Sequence, residues 1–167
     1  MVKNQEIRKF KGGKMMSKKS IYIIIAVIIF FSLKTFNDYR ERNLDDLISY
    51  KHGDFYSLGF TKDREMVPDN RADEWLTEEK QPVDELMEFL SQYRVKKVSE
   101  ETFKEKINSE ESFEFTITHS KANPSIVWVF ENRVHILVGN YYEVKNGPID
   151  MEWIKKYNKK YREEYEE

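Results

Sequence analysis

The sequence of 167 residues predicts an α+β protein: an N-terminal transmembrane helix followed by one small domain, in which an antiparallel sheet packs with two or three helices. Three observations predict it. The run Ile21–Leu33, IYIIIAVIIFFSL, is apolar except for Ser32. In the final third, Phe113, Phe115 and Ile117 alternate with Glu114, Thr116 and Thr118, the period of a half-buried strand, and further β-rich runs follow between turn residues. Two other segments, around 82–93 and 150–165, carry apolar residues at spacings of three and four, the signature of helices with one buried side.

The apolar run alone would rise about 20 Å as a helix, short of a hydrocarbon core of roughly 30 Å. Extended from Ser20 to Phe36, with Lys34 reaching toward the head groups, it spans about 25 Å, which a slightly thinned bilayer accepts. Signal-peptide cleavage needs small residues just after the run, and FSLKTFNDYR offers only Ser32. With no cysteine in the chain, acylation of a lipobox is closed as well. The expectation is an uncleaved signal anchor over residues 20–36. Residues 1–19 hold seven Lys or Arg against one acid, Glu6, which keeps the N-terminus in the cytoplasm. Residues 20–167 then carry a net −8 (21 basic, 29 acidic), suited to a soluble domain outside the cell membrane and unsuited to nucleic acid. Met15 and Met16, just ahead of SKKSIYIII, are alternative starts to Met1.

Residues 37–43 (NDYRERN) read as a charged juxtamembrane helix or stalk, and residues 44–167 as the domain. Leu47–Tyr50 and Phe55–Phe60 flank His52-Gly53-Asp54 and predict a hairpin. Thr61–Glu79 is polar, with a turn at Pro68-Asp69-Asn70, and predicts a long loop with one helical turn around Trp75. Gln81-Pro82 predicts a helix entry with proline in first position, continuing through Val83, Leu86, Met87, Leu90 and Tyr93. Tyr93–Val98 predicts an edge strand blunted by Lys96 and Lys97, and Glu100–Ile107 a short helix. The strand at Phe113 is followed by Ser125–Phe130, Arg133–Val138 and Tyr141–Val144, turned at Glu131-Asn132 and Gly139-Asn140: a four-stranded antiparallel meander. Asp150 predicts the cap of a last helix, with Ile149 set to pack on Ile154 as a hydrophobic staple.

The parts quoted above (the anchor, the first hairpin, DELMEFLSQYRVKK, FEFTITH, SIVWVFENRVHILVGNYYEV and IDMEWIKKY) together resemble small extracytoplasmic domains of Gram-positive bacteria, membrane-anchored or lipoprotein-type and of unknown function. The resemblance covers roughly residues 44–162. It implies a fold and a place, and this chain departs from the lipoprotein members in lacking the acylated cysteine.

No motif carries a catalytic, cofactor or metal site. His52, His119 and His135 lack the spacing that puts two imidazoles on one helix face. His135 reads as a surface or partly buried strand residue facing away from Val134 and Ile136. His119-Ser120 has no GxSxG turn and no evident acid partner. The acids Asp63, Glu65, Asp69, Asp73, Glu74, Glu78 and Glu79 lack calcium-loop spacing, are mixed with Lys62, Arg64 and Arg71, and read as a solvated loop. The glycines stand singly, so no phosphate loop is present. Aromatic residues make up 14% of the chain; they read chiefly as core, with the tyrosines of the last helix as the exposed candidates. The expected function is non-enzymatic: a binding or accessory module that meets the membrane through Ile21–Leu33 and an envelope protein or cell-wall component through its domain. An envelope hydrolase built on carboxylates or histidines, or a secreted factor released by cleavage, are the alternatives.

Overall fold

The computed structural model describes residues 17–64, 67, 70–105, 107 and 110–165. The tail before residue 17, Pro68-Asp69 of the expected turn, and Glu65 of the acidic loop therefore lie outside the described residues. The chain divides into two units, at Asp38 and Tyr39.

In the first unit, helix α1 runs Lys18–Asp38, none of its 21 residues buried. At 1.5 Å per residue it is about 31 Å long, with Lys18, Lys19 and Asp38 at its ends placed for the head-group regions on either side of the apolar stretch. By length and composition it is a candidate membrane span, and a signal sequence would have the same character.

The second unit is α+β. Strands β1 (Arg42–Asn43), β2 (Phe55–Thr61), β3 (Trp75–Thr77), β4 (Arg94–Val98), β5 (Ser112–His119), β6 (Ser125–Phe130), β7 (Arg133–Ile136) and β8 (Asn140–Val144) form one sheet in the order β1-β4-β8-β7-β6-β5-β2-β3. Every pairing is antiparallel. Its centre is the expected meander, β5 to β8. The turn into β8 contains Gly139 at φ 72°, a left-handed conformation that a side chain disfavours. Helices α2 (Lys80–Ser91) and α4 (Met151–Tyr165) share one core with this sheet, whereas the short α3 (Glu100–Lys104) lies against the opposite face.

The core face alternates as strands require: Phe113, Phe115 and Ile117 of β5, Val127 and Val129 of β6, and Val134 and Ile136 of β7 are buried on it. An aromatic cluster closes one end. The Phe60 ring stacks on Trp75 at 5.1 Å and on Phe113 at 5.5 Å, and Tyr157 leans on Phe60 and Trp75. Each buried polar tip is met: Trp75 Nε1 donates to Asn158 Oδ1 (2.7 Å), and the Tyr157 hydroxyl donates to the carbonyl of Pro82 (2.8 Å). At the start of α4, Asp150 Oδ1 accepts from the amides of Glu152 and Trp153, the expected cap, with Ile149 and Ile154 both buried.

Several expectations are corrected. There is no first hairpin. Asp45–Leu47 is a 3-10 turn, Leu44 and Ile48 are buried, and β2 pairs instead with β3 and β5. Trp75 sits on strand β3, opposite Phe60, and not in a helical turn. Helix α2 begins at Lys80, so Pro82 is its third residue; the first turn donates no intrahelical bonds, and proline is tolerated there as well. Strand β4 is not the outermost strand, because Arg42–Asn43, read as stalk, pairs with Arg94 and Val95. Tyr157 and Tyr161 are buried in the aromatic cluster and so are not exposed candidates. Glu74 is not solvated: it is 1% exposed, accepting from the amides of Lys62 and Asp63, from Asn158 Nδ2 and from Arg162 Nη1. Such a network can hold a buried carboxylate because every oxygen is occupied.

Candidate functional site

The residues that alternate away from the core fall into register across the outer face. Thr61 stands opposite Glu114, Glu114 opposite Trp128, Trp128 opposite His135, and His135 opposite Tyr141. This row joins four adjacent strand pairs, and its two ends differ.

At the β7–β8 end the row is covered. The His135 ring stacks on Tyr141 (4.5 Å, 18°) and lies 5.0 Å from Trp128 and 5.9 Å from Phe103 of α3. Arg133 Nη1 donates to the Phe103 carbonyl at 2.8 Å and ties α3 to the sheet. His135 is buried, contrary to a surface position, and its Nε2 has no hydrogen-bond partner among the described residues. Burial pushes its imidazole below the ordinary histidine range, against the weaker pull of Glu100.

At the β5–β6 end the row is open. Trp128 is 39% exposed on the wall of a groove of about 350 Å³, with Phe130, Thr61, Lys62, Arg64 and Ser112 among its lining residues. One carboxylate organises it. Glu114 Oε2 accepts from Trp128 Nε1 (2.6 Å), and Oε1 accepts from Arg64 Nη1 (2.8 Å), which also donates to the carbonyl of Ala72 (2.8 Å). The indole is thereby fixed in orientation with part of its surface in water. Lys62 is unlike an ordinary surface lysine: its side chain is 9% exposed, with Nζ 3.4 Å from Glu111 and 3.9 Å from Asp63. Beyond Thr61 and Glu114 on the same face, the carboxylate of Asp73 packs onto Gly59, where a Cβ would overlap it. Burial pushes the Asp73 carboxyl up, Glu114 adding to the effect and Arg64 opposing it. A rigid aromatic wall, two cations and a shared carboxylate make a surface suited to holding a ligand.

The histidines singled out from the sequence do not come together. His52 is exposed beside α2, with Nδ1 3.3 Å from Lys80 Nζ and Nε2 3.7 Å from Asp84, whose carboxylate also accepts from the Tyr50 hydroxyl. His119 is buried at the end of β5, its Nε2 without a partner among the described residues. Ser120 does have an acid partner, Asp54, but the hydroxyl donates straight to the carboxylate (2.7 Å), and that bond holds Asp54 below the usual carboxylate range. A serine whose proton rests on a depressed carboxylate lacks the base that would activate it. Among the described residues no group of three His, Asp or Glu side chains could hold a metal ion. No protein-family model, no curated protein and no solved structure matches this chain.

The groove residues were individually in view in the sequence but not as a set. One signal was available: between the inward Val127 and Val129, strand alternation turns Trp128 outward, an unusual place for an indole. Its link to Arg64 and Lys62 had none.

Proposed function

We propose that the chain is a non-enzymatic, single-span membrane protein whose extracytoplasmic domain binds a protein or glycan of the cell envelope, in the manner of the small Gram-positive domains it resembles. The open end of the outer row is the binding face. Supporting the location are α1, the seven cations of residues 1–19 and the −8 of the remainder. The observation that carries the binding role is Trp128, half-exposed on a groove and locked by Glu114 and Arg64. A large ring held rigid at the surface loses little entropy on contact and offers much area, which is why such rings dominate binding energetics.

The absence of cysteine allows a direct test, since any introduced cysteine is the sole thiol. Full-length S17C and E143C variants, treated in intact cells with a membrane-impermeant maleimide, should label at residue 143 only. Labelling at residue 17, or recovery of the E143C chain from the medium with a trimmed N-terminus, would contradict an anchored outer domain.

A further inference from the structure

We infer that the groove at Trp128 is a site for a carboxylate-bearing sugar of an envelope glycan. The inference rests on the binding role proposed above and gives it a ligand class. Three features of the groove converge on that chemistry. First, two cations line it, in a domain whose net charge is strongly negative. Among the described residues, Arg64 donates from Nη1 to Glu114 and Ala72, and its side chain is 68% exposed, which leaves guanidinium donors within reach of a ligand. Those donors match the two oxygens of a carboxylate. Second, the Lys62 side chain is nine-tenths buried, and its Nζ lies 3.4 Å from Glu111 and 3.9 Å from Asp63, the nearer pairing helping Lys155 to hold the Glu111 carboxyl below the usual range. An ammonium carries three donors, so an incoming oxyanion can share it with those two carboxylates.

Third, the remainder of the groove suits a saccharide ring. Trp128 and Phe130 supply apolar surface for the C–H face of a pyranose, and the Ser112 hydroxyl and the free lone pairs of Glu114 suit its hydroxyl groups. A peptide would meet the same cations through Asp or Glu, but nothing in the groove offers it a strand to pair with, because β5 and β6 are paired on both sides. No covalent step is involved.

The test uses the full chain in nanodiscs and two probes, a tetrasaccharide alternating glucuronate with N-acetylglucosamine and the neutral tetramer of N-acetylglucosamine, with binding followed by tryptophan fluorescence and calorimetry. The acidic probe should bind about tenfold or more tightly than the neutral one, and R64Q and K62M should each remove about tenfold. W128F, which keeps a ring but no indole N–H, should weaken both probes alike. Equal binding of the two probes, or R64Q and K62M binding as wild type while their thermal unfolding is unchanged, would overturn the inference. So would failure of both probes. In that case a photo-crosslinker placed on S112C in intact cells separates the two levels: a protein adduct formed there leaves the binding role standing and removes the sugar, and no adduct removes both.

Discussion

Trp75 and Trp128 lie on opposite faces of one sheet, and their surroundings show what each face is for. Trp75 is fully buried, packed by Phe60, Tyr157 and Tyr161, and its N–H is answered by Asn158, a residue itself held by Glu74. Trp128 has a ring of the same kind and an equally satisfied N–H, but its answering group, Glu114, is tied to an exposed arginine, and part of the ring faces water. On the core face, hydrogen bonds make burial tolerable. On the outer face, they make exposure rigid.

The comparison would break first at Trp75. W75A should lower unfolding free energy by about 3–5 kcal/mol, read by chemical denaturation, because it leaves a cavity among rings that cannot collapse into it. E74A should cost about 3 kcal/mol by stranding Asn158 and two amides that the buried carboxylate now satisfies. W128A should cost only about 1 kcal/mol. A loss at Trp128 equal to that at Trp75 would mean that the outer face is core as well. The smallest effect concerns His135. Its imidazole titrates lower folded than unfolded, so the unfolded chain takes up the proton more readily, and stability present above the ordinary histidine pKa of about 6.5 is lost as pH falls below it. Thermal unfolding between pH 7.5 and 5.5 should show that decline, and H135F, a ring among the rings of Phe103, Trp128 and Tyr141, should flatten it.

What could be read in the sequence was what is decided locally. The meander from Ser112 to Val144 follows from alternation and from connections of five, two and three residues, and the start of α4 from a cap and a staple within six residues. Strand β3 was not readable in this way. Three residues have no period, and Trp75-Leu76-Thr77 becomes a strand because β2 templates it. Leu44–Ile48 likewise looked like half a hairpin, yet its apolar side chains are satisfied by entering the core from a 3-10 turn. A tyrosine stripe fits a wet face as well as a buried one, so the α4 pattern alone does not place its tyrosines; the partners that do, Pro82 and Glu85, are about 75 residues away. The groove shares that difficulty. Glu114 meets Trp128 across one hairpin, but Arg64 reaches Glu114 over 50 residues, from a polar stretch that looked like solvated loop.

Binding at the Trp128 groove would shield that side of the sheet in the cell and leave the helical side open. Ser112 lines the groove, and Lys156 lies exposed on α4, so thiol-modification rates of S112C and K156C, compared between intact cells and the purified full chain in nanodiscs, test it directly. S112C should be modified several-fold more slowly in cells, with no change at K156C. Equal rates in both settings at residue 112, or protection at residue 156 alone, would contradict it.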